Sequence, residues 1–252
     1  MEQNGKVIAV VQARTGSTRL PGKVMKKICG KPMLLLMLER LSHSKLIDKI
    51  VVATTTNPND DALYNMVKEN NYEVFRGSEL DCLDRHYQVG KKFHADYICK
   101  ITSDDPLIDP VLTDKTINYF LKNSEKFDYV SNVHPPTFPE GLDVEITHMS
   151  ILEEAWKNAT DSNDREHTTT FIWSNPSKFK IGNYINEDEK NLFVTDRWTV
   201  DYPEDFEFVK AVFEELYKEK KIFLMDDILI LLTNKPEIRS INQKFVSKNK
   251  IH

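Results

Sequence analysis

The chain has 252 residues, of which 40% are hydrophobic and 29% are charged, a composition typical of globular proteins. Its net charge of -5 argues against an extended nucleic-acid-binding surface, because such surfaces need a clustered surplus of basic side chains. Cys29, Cys82 and Cys99 are widely spaced and odd in number, which argues against a disulfide framework or a zinc site. No secretory signal or bilayer-length apolar run is evident, so we expect a cytoplasmic protein without membrane or nucleic-acid partners.

Strand-like and helix-like segments alternate through the first half of the chain. Continuous apolar runs predict buried strands at residues 7–11, 50–53, 73–75 and 97–101. Helical patterns follow them at residues 31–42, 57–69, 79–93 and 111–121. Repeated strand–helix units predict an α/β fold with a mostly parallel central sheet flanked by helices, in which ligands bind beyond the carboxyl ends of the strands.

The second half is less regular. Strand-like runs are predicted at residues 142–146, 179–181 and 198–200, and helices at residues 150–158, from 203 onward and at 225–232. Three prolines between residues 135 and 139 interrupt the pattern near its start. We therefore expect a single domain over residues 1–252, in which residues 130–190 form a substrate-binding or dimerisation subdomain.

A glycine-containing basic loop follows the first predicted strand. Residues 12–23 read Gln-Ala-Arg-Thr-Gly-Ser-Thr-Arg-Leu-Pro-Gly-Lys, so that Arg14, Arg19 and Lys23 fall within ten positions. Glycines at 16 and 22 let the backbone approach a ligand, and arginine and lysine neutralise phosphate oxygens. The loop is suited to a triphosphate, although a solvated basic connection is the alternative, and it matches neither a Walker A motif nor a dinucleotide fingerprint.

Two carboxylates follow predicted strands in the same way. Asp104 comes after residues 97–101 and precedes Asp105-Pro106, and Asp201 comes after residues 198–200 and precedes Tyr202-Pro203. Carboxylates at this edge of a sheet are suited to Mg²⁺, which takes one or two of them together with phosphate oxygens. The alternative is that both residues cap the helices that follow, and for Asp201 alone capping is the more common role.

Taken in order, these blocks resemble the cytidylyltransferases that make CMP-activated acidic sugars, such as the CMP-Kdo and CMP-sialate synthetases. The nearer resemblance is to the branch of spore coat polysaccharide biosynthesis protein SpsF. Besides the basic loop it is carried by Phe-Arg-Gly-Ser at 75–78, Asp-Asp-Pro-Leu-Ile-Asp-Pro at 104–110, Phe-Pro-Glu-Gly-Leu-Asp-Val-Glu at 138–145, Arg-Glu-His at 165–167 and Val-Asp-Tyr-Pro-Glu-Asp at 200–205. The resemblance implies a Rossmann-like nucleotidyltransferase fold and a homodimer.

The resemblance also implies a set of site residues. The nucleotide, CTP, is expected to contact Ala13, Arg14, Gly16, Ser17, Arg19, Lys23, Arg76, Asp81 and Arg85. Mg²⁺ is expected on Asp104 and Asp201, and Arg14, Lys23 and Asp104 are the expected catalytic residues. A small acidic or sugar-like acceptor is expected near Glu140, Asp143, Glu145, Arg165 and His167. For His167 a partly buried hydrogen-bonding role is the alternative, and for Asp143 and Glu145 a solvated strand edge.

The expected reaction is attack of an acceptor oxygen on the α-phosphorus of CTP with release of pyrophosphate. Lys23 and Arg14 are expected to stabilise the charge that develops in the transition state. Three positions depart from the family pattern: Lys100, Ser103 and Asp105. Two other functions stay open, a nucleotide-sugar-dependent glycosyltransferase and a non-catalytic nucleotide-binding protein. Asp104-Asp105 lacks the Asp-x-Asp spacing that is common in the first.

Overall fold

The computed structural model describes residues 5–188 and 190–246. Seven strands form one sheet in the order β5-β4-β1-β6-β8-β7-β9, and β2 and β3 form a separate small hairpin. The strands are β1 Val7–Gln12, β2 Lys27–Ile28, β3 Lys31–Pro32, β4 Lys49–Thr55, β5 Glu73–Gly77, β6 Tyr97–Thr102, β7 Tyr129–Ser131, β8 Glu145–His148 and β9 Ile181–Asn183.

Helices cover both faces of the sheet. They are α1 Met33–Leu41, α2 Asp61–Glu69, α3 Cys82–Phe93, α4 Pro110–Lys122, α5 Met149–Asn158, α6 Ser162–Glu166, α7 Thr170–Trp173, α8 Pro203–Leu216, α9 Met225–Asn234 and α10 Pro236–Ser240. Short 3-10 turns lie at Lys23–Met25, Pro58–Asp60 and Gln243–Phe245. Within the described ranges, none of the helices has the length and apolar character needed to cross a membrane.

The first four strands of the sheet order are mutually parallel. Val10 of β1 pairs with Val51 of β4 on one side and with Lys100 of β6 on the other. β8 reverses direction, because it runs antiparallel to both β6 and β7. The predicted α/β class with a mostly parallel, helix-flanked sheet is confirmed.

Side chains of β1 alternate between two apolar layers, as the strand period of two requires. Val7, Ala9 and Val11 pack with α1 and α4, whereas Ile8 and Val10 pack with α3 and α5. A third apolar cluster joins α8 and α9 to α1 and to the start of α4 around the fully buried Trp198. This third cluster holds the segment before α8 against the end of β6.

Several element predictions were wrong in type or extent. The strand predicted at 179–181 lies at Ile181–Asn183, and the helix predicted from residue 79 begins at Cys82, after its cap residue Asp81. Residues 198–200 are buried but do not form a strand, because their amides bond to single carbonyls of Glu140 and Asp104 instead of to a continuous partner strand. The strand predicted at 142–146 is β8, shifted to Glu145–His148, since Gly141 at φ +107 turns the chain just before it. The helix predicted from residue 31 begins at Met33, because Lys31 and Pro32 pair with β2.

Residues 130–190 contribute β8, β9 and most of β7 to the same sheet, together with α5, α6 and α7. Their division into a separate subdomain that binds an acceptor or a second chain stays a prediction.

Candidate active site

A cleft opens at the carboxyl ends of the neighbouring strands β1 and β6. β1 lies between β4 and β6, so the loops that leave β1 and β6 diverge at their carboxyl ends, where ligands bind in open α/β sheets. The cavity between these loops has a volume of about 230 Å³. It is lined by Gln12, Ala13, Arg14, Gly16, Ser17, Thr18, Arg19, Lys23, Arg85, Ser103, Asp104 and Asp201.

The loop after β1 is held in shape by a buried carboxylate. The backbone amide and hydroxyl of Thr15 each donate to Asp60 Oδ1 at 2.7 Å, and the amide of Gly22 donates to the Thr15 carbonyl at 2.9 Å. Gly22 adopts φ 67° and ψ 18°, a left-handed conformation that favours glycine. Burial opposes ionisation of Asp60, but the hydrogen bonds from Thr55 and Thr15 outweigh it and lower the pKa. The loop is therefore organised by the protein itself.

Lys23 ends this loop and points between two carboxylates. Its side chain is only 10% exposed, and Nζ donates to the carbonyl of Val200 at 2.5 Å. The same atom lies 3.3 Å from Asp201 Oδ1 and 3.4 Å from Asp104 Oδ2. An ammonium group has three donors, so these contacts use all of them. One side chain thereby connects the loop after β1, the end of β6 and the segment before α8.

Asp201 is surrounded by cations. Oδ1 also lies 2.9 Å from Arg19 Nη2, and Oδ2 lies 3.0 Å from Arg197 Nη2. Burial raises the pKa of Asp201, but the charges of Lys23 and Arg19 and the hydrogen bond from Arg197 lower it overall. The carboxylate is therefore ionised at neutral pH and holds the cationic loop in place.

The chain is similar to known proteins along most of its length. A cytidylyltransferase family model matches residues 8–230. The chain belongs to the cytidylyltransferase family. It is 39% identical to an uncharacterized protein of Methanocaldococcus jannaschii over 246 residues, 97% of either chain. It is 28% identical to spore coat polysaccharide biosynthesis protein SpsF of Bacillus subtilis over 236 residues, which are 92% of this chain and 95% of SpsF.

A solved structure agrees with this family. The cytidylyltransferase of Leptospira borgpetersenii superposes with a TM-score of 0.86 at 34% identity, over 98% of this chain and 99% of that one. The resemblance inferred from the sequence is confirmed, as is the Rossmann-like fold, and the protein is an enzyme of the nucleotidyltransferase class.

Most residues predicted to contact the nucleotide line the cleft of this cytidylyltransferase. Arg85 is 4% exposed, and its guanidinium donates to the carbonyls of Ser78 and Glu79. Within the described part of the chain, its Nε has no hydrogen-bond partner. The predicted residues that the structure brings together in this lining are Ala13, Arg14, Gly16, Ser17, Arg19, Lys23 and Arg85.

Two predicted nucleotide residues lie outside that lining. Arg76 braces the loop after β4, where Nε donates to the carbonyl of Thr55 at 2.7 Å and Nη1 lies 2.6 Å from Asp61. Asp81 caps α3 by accepting from the amide of Asp84 at 2.8 Å. Both side chains support the walls of the site, and contact with a nucleotide stays a prediction for them.

The two carboxylates predicted to hold Mg²⁺ both face the cleft. The side chains of Asp104 and Asp201 are 32% and 20% exposed, respectively. Among the described residues no group of three or more His, Cys, Asp or Glu side chains is placed to hold a metal. Two carboxylates fit Mg²⁺, which completes its shell with phosphate oxygens and water. Lys23 Nζ lies between the two carboxylates, so a metal bound to both would have to displace it.

Glu145, predicted to contact the acceptor, is fully engaged inside the protein. Its two oxygens lie 2.5 Å from Lys100 Nζ, from the hydroxyl of Tyr129 and from the hydroxyl of Thr169. Burial raises the pKa of Glu145, but Lys100 and these hydroxyls outweigh it and lower the pKa to about 2. The ion pair of Glu145 and Lys100 lies where strands β6 and β8 meet, so the alternative of a solvated edge is wrong for Glu145.

Other predicted acceptor residues also have partners within the chain. Glu140 Oε1 lies 2.6 Å from Arg197 Nη1, and Arg165 Nη1 donates to the carbonyl of Trp156 at 2.6 Å. Arg165 forms an ion pair with Asp81 as well. His167 is exposed at the end of α6. The structure therefore separates this set into different contacts, and its role toward an acceptor stays a prediction.

Asp143 and Asp105 form an acidic pair behind Asp104. Burial raises the pKa of Asp143 to about 7, against a hydrogen bond from the Gly141 amide. Burial, with the charges of Asp143 and Asp104, also raises the pKa of Asp105 well above its usual value. Burial therefore favours the protonated form of both carboxyls.

Sequence reasoning missed Arg197, the residue that holds Asp201. Its side chain is 5% exposed and lies within 3.1 Å of Glu140, Asp201 and Asp205. Burial lowers its pKa, but the hydrogen bond to Asp205 and the charge of Glu140 raise it overall. The sequence does contain one signal for a residue such as Arg197. The motif at 200–205 contains Asp205 as well as Asp201, and two carboxylates removed from water require a cationic partner.

Proposed function

We propose that this cytidylyltransferase transfers a CMP group from CTP to a sugar acid, a sugar phosphate or a related small acceptor in surface polysaccharide biosynthesis. The observation that carries the proposal is the position of Lys23 between Asp104 and Asp201, directly beside the loop that contains Arg14 and Arg19. Cations and carboxylates at one end of a cleft are the groups needed to bind a polyphosphate and a divalent ion together.

In the proposed reaction an acceptor oxygen forms a bond to the α-phosphorus of CTP. The bond from that phosphorus to the oxygen bridging to the β-phosphate breaks, and its electron pair leaves with pyrophosphate. Arg14, Ser17 and Arg19 bind the phosphate oxygens, and Lys23 stabilises the charge that develops on them. The protein contributes mainly position and charge, as in phosphoryl transfer generally.

Asp104 and Asp201 are the proposed ligands of Mg²⁺. The ion would neutralise phosphate charge and orient the reacting oxygens. Arg197 keeps one Asp201 oxygen directed away from the cleft, so the other oxygen faces Lys23 and Arg19.

The class of acceptor is supported by relatives. SpsF is by its name a protein of spore coat polysaccharide biosynthesis, and partial relatives are 3-deoxy-manno-octulosonate cytidylyltransferases, one of them 31% identical over 119 residues. We also propose that the enzyme acts in the cytoplasm and works as a homodimer.

The test is pyrophosphate release with Mg²⁺, with each of the four nucleoside triphosphates offered against a panel of acidic sugars and sugar phosphates. We expect release that requires both CTP and one acceptor class. A matched incubation without acceptor sets the background. Release with another nucleotide, or hydrolysis of a nucleotide sugar in its place, would contradict the proposal.

A further inference from the structure

Asn242 is a polar residue buried outside the cleft lining. It follows α10 and is 2% exposed. Its amide nitrogen donates to the carbonyl of Arg197 and to Asp205 Oδ1, both at 2.9 Å. A buried amide is costly unless it is hydrogen-bonded, so this side chain is held in one orientation.

Asp205 collects these contacts and connects them to the site. It is fully buried and accepts from Arg197 Nε and Nη2 at 3.1 Å. Its Oδ2 also accepts from the backbone amides of Asp201 and Tyr202 at 3.0 Å. One carboxylate therefore holds both the backbone of Asp201 and the guanidinium that bonds the Asp201 side chain.

These contacts continue from Asp205 to the loop after β1. Arg197 Nη2 holds Asp201 Oδ2 at 3.0 Å, which directs Oδ1 toward Arg19 at 2.9 Å and Lys23 at 3.3 Å. We call Asn242, Asp205, Arg197 and Asp201 the Asp201 relay. Asn242 and Asp201, at the two ends of the relay, are both held by hydrogen bonds or ion pairs to the other members.

A second contact brings the same terminal segment to the loop. The ring of Phe245 stacks on that of Tyr202 with centroids 4.1 Å apart and an interplanar angle of 2°. On Tyr202 the guanidinium of Arg19 lies 5.0 Å from the ring centroid. The terminal segment therefore supports Asp201 by hydrogen bonds and Arg19 by stacking.

We infer that Asn242 is a positioning residue for the phosphate end of the cleft, acting through Asp205 and Arg197 on Asp201. The match to the family model ends at residue 230, so this support comes from a part of the chain beyond the region that the family model covers. The inference rests on the proposed function only for its effect on CTP, because the relay itself is a property of the protein alone.

The test compares Asn242→Leu, which keeps the side-chain size and removes the amide, with Ile172→Val. Ile172 is fully buried in α7, in the apolar cluster shared with α3 and α5, and among the described residues that cluster includes none from 14–23 or 198–204, so its substitution controls for a general loss of stability. Hydrogen exchange is measured by mass spectrometry on peptides covering residues 14–23 and 198–204. CTP binding is measured calorimetrically in EDTA, and melting temperatures are recorded for both variants.

We expect Asn242→Leu to speed exchange in both peptides several-fold and to weaken CTP binding about 5- to 10-fold, the loss of about one hydrogen bond. Ile172→Val should lower the melting temperature by a similar amount and leave both peptides and the CTP affinity unchanged. Should Asn242→Leu fail to fold, Asn242→Ser is measured in the same way.

Unchanged exchange in Asn242→Leu, with only a lower melting temperature, would overturn the relay. Altered exchange with unchanged CTP affinity would overturn its role in the site. A wild-type protein that binds no CTP either in EDTA or with Mg²⁺ would overturn the proposed function, whereas exchange in the two peptides would still decide the relay.

Discussion

Lys23 carries its positive charge where two negative charges would otherwise repel. Its Nζ lies within 3.4 Å of both Asp104 and Asp201, and its third donor is taken by the carbonyl of Val200. The lysine therefore offsets the repulsion between the two carboxylates. In the proposed reaction the same side chain exchanges these partners for phosphate oxygens of CTP.

Asp104→Asn tests the charge without changing the shape of the site. Asp104 is partly exposed, so we expect little effect on stability, but a fall in kcat/KM on the order of 10²–10³-fold, as for loss of one electrostatic stabiliser. The measurement is CTP-dependent pyrophosphate release over a range of Mg²⁺ concentrations. Asp226→Asn, an exposed substitution outside the cleft, is the control. Normal turnover of Asp104→Asn at low Mg²⁺ would remove Asp104 from the mechanism.

At the scale of elements, the site depends on the loops that leave the central strands. The loop after β1 is held in shape by Asp60 and Gly22, and β6 is followed directly by Ser103 and Asp104. The segment before α8 is placed beside them by single hydrogen bonds rather than by a strand ladder. A loop that is held from several sides loses little conformational entropy when it binds a ligand.

Strands β6 and β8 are linked by the buried pair of Lys100 and Glu145, which gives a pH-dependent contribution to stability. The pKa of Glu145 falls from 4.5 to about 2 in the folded protein. Its contribution is therefore complete above about pH 5 and is lost as the pH falls toward 2. Glu145→Gln leaves Lys100 buried beside a neutral group, which costs about 3–5 kcal/mol at pH 7.

We expect Glu145→Gln to unfold at lower urea concentration than the wild type at pH 7, with the difference shrinking as the pH is lowered to 3. Glu153→Gln is the matched control, because Glu153 pairs with Lys157 at the surface at 2.9 Å and such pairs contribute little. An equal difference between wild type and Glu145→Gln at pH 7 and pH 3 would show that the carboxylate is not the source of the pH dependence.

At the scale of the whole molecule, one sheet edge is available for assembly. β9 hydrogen-bonds to β7 along one side, and the chain after it exposes Ile185 and Val194 at 53% and 42%. Exposed apolar side chains beside a sheet edge are typical of surfaces that pair with another chain. These features support the predicted homodimer.

Light scattering at micromolar concentration should give about twice the chain mass of 29.3 kDa. Ile185→Asp combined with Val194→Asp places charges on that surface and should shift the protein toward the monomer. Ile230→Asp is the control, since Ile230 is 61% exposed on α9. A wild-type monomer at this concentration would contradict the predicted dimer.

The local sequence was sufficient to predict the strands that lie nearest the site. β1, β4 and β6 are apolar runs, and a strand buried on both faces needs little information beyond such a run. The run at 198–200 has the same character but does not form a strand, since its amides meet carbonyls of Glu140 and Asp104. Apolar periodicity reports burial, whereas strand formation also needs a partner of matching length.

Much of the candidate site could be predicted as a position in the fold but not as a set of contacts. Arg14, Lys23, Asp104 and Asp201 were expected at the carboxyl edge of the sheet, and they line one cleft there. The position of Lys23 between the two carboxylates could not be predicted. Asp104 and Asp201 are about 80 and 180 residues away from it in the chain, and distances between such remote side chains depend on tertiary packing.

The sequence by itself determined the α/β class, the basic loop after β1 and the membership of the cytidylyltransferase family, because all three follow from local patterns in a fixed order. Only the tertiary structure decided which charges meet: Asp81 with Arg165, Glu140 with Arg197 and Glu145 with Lys100. The physical reason is that the strength of an ion pair depends on the distance between the charges and on their burial. A local sequence pattern specifies neither quantity for residues that are far apart in the chain.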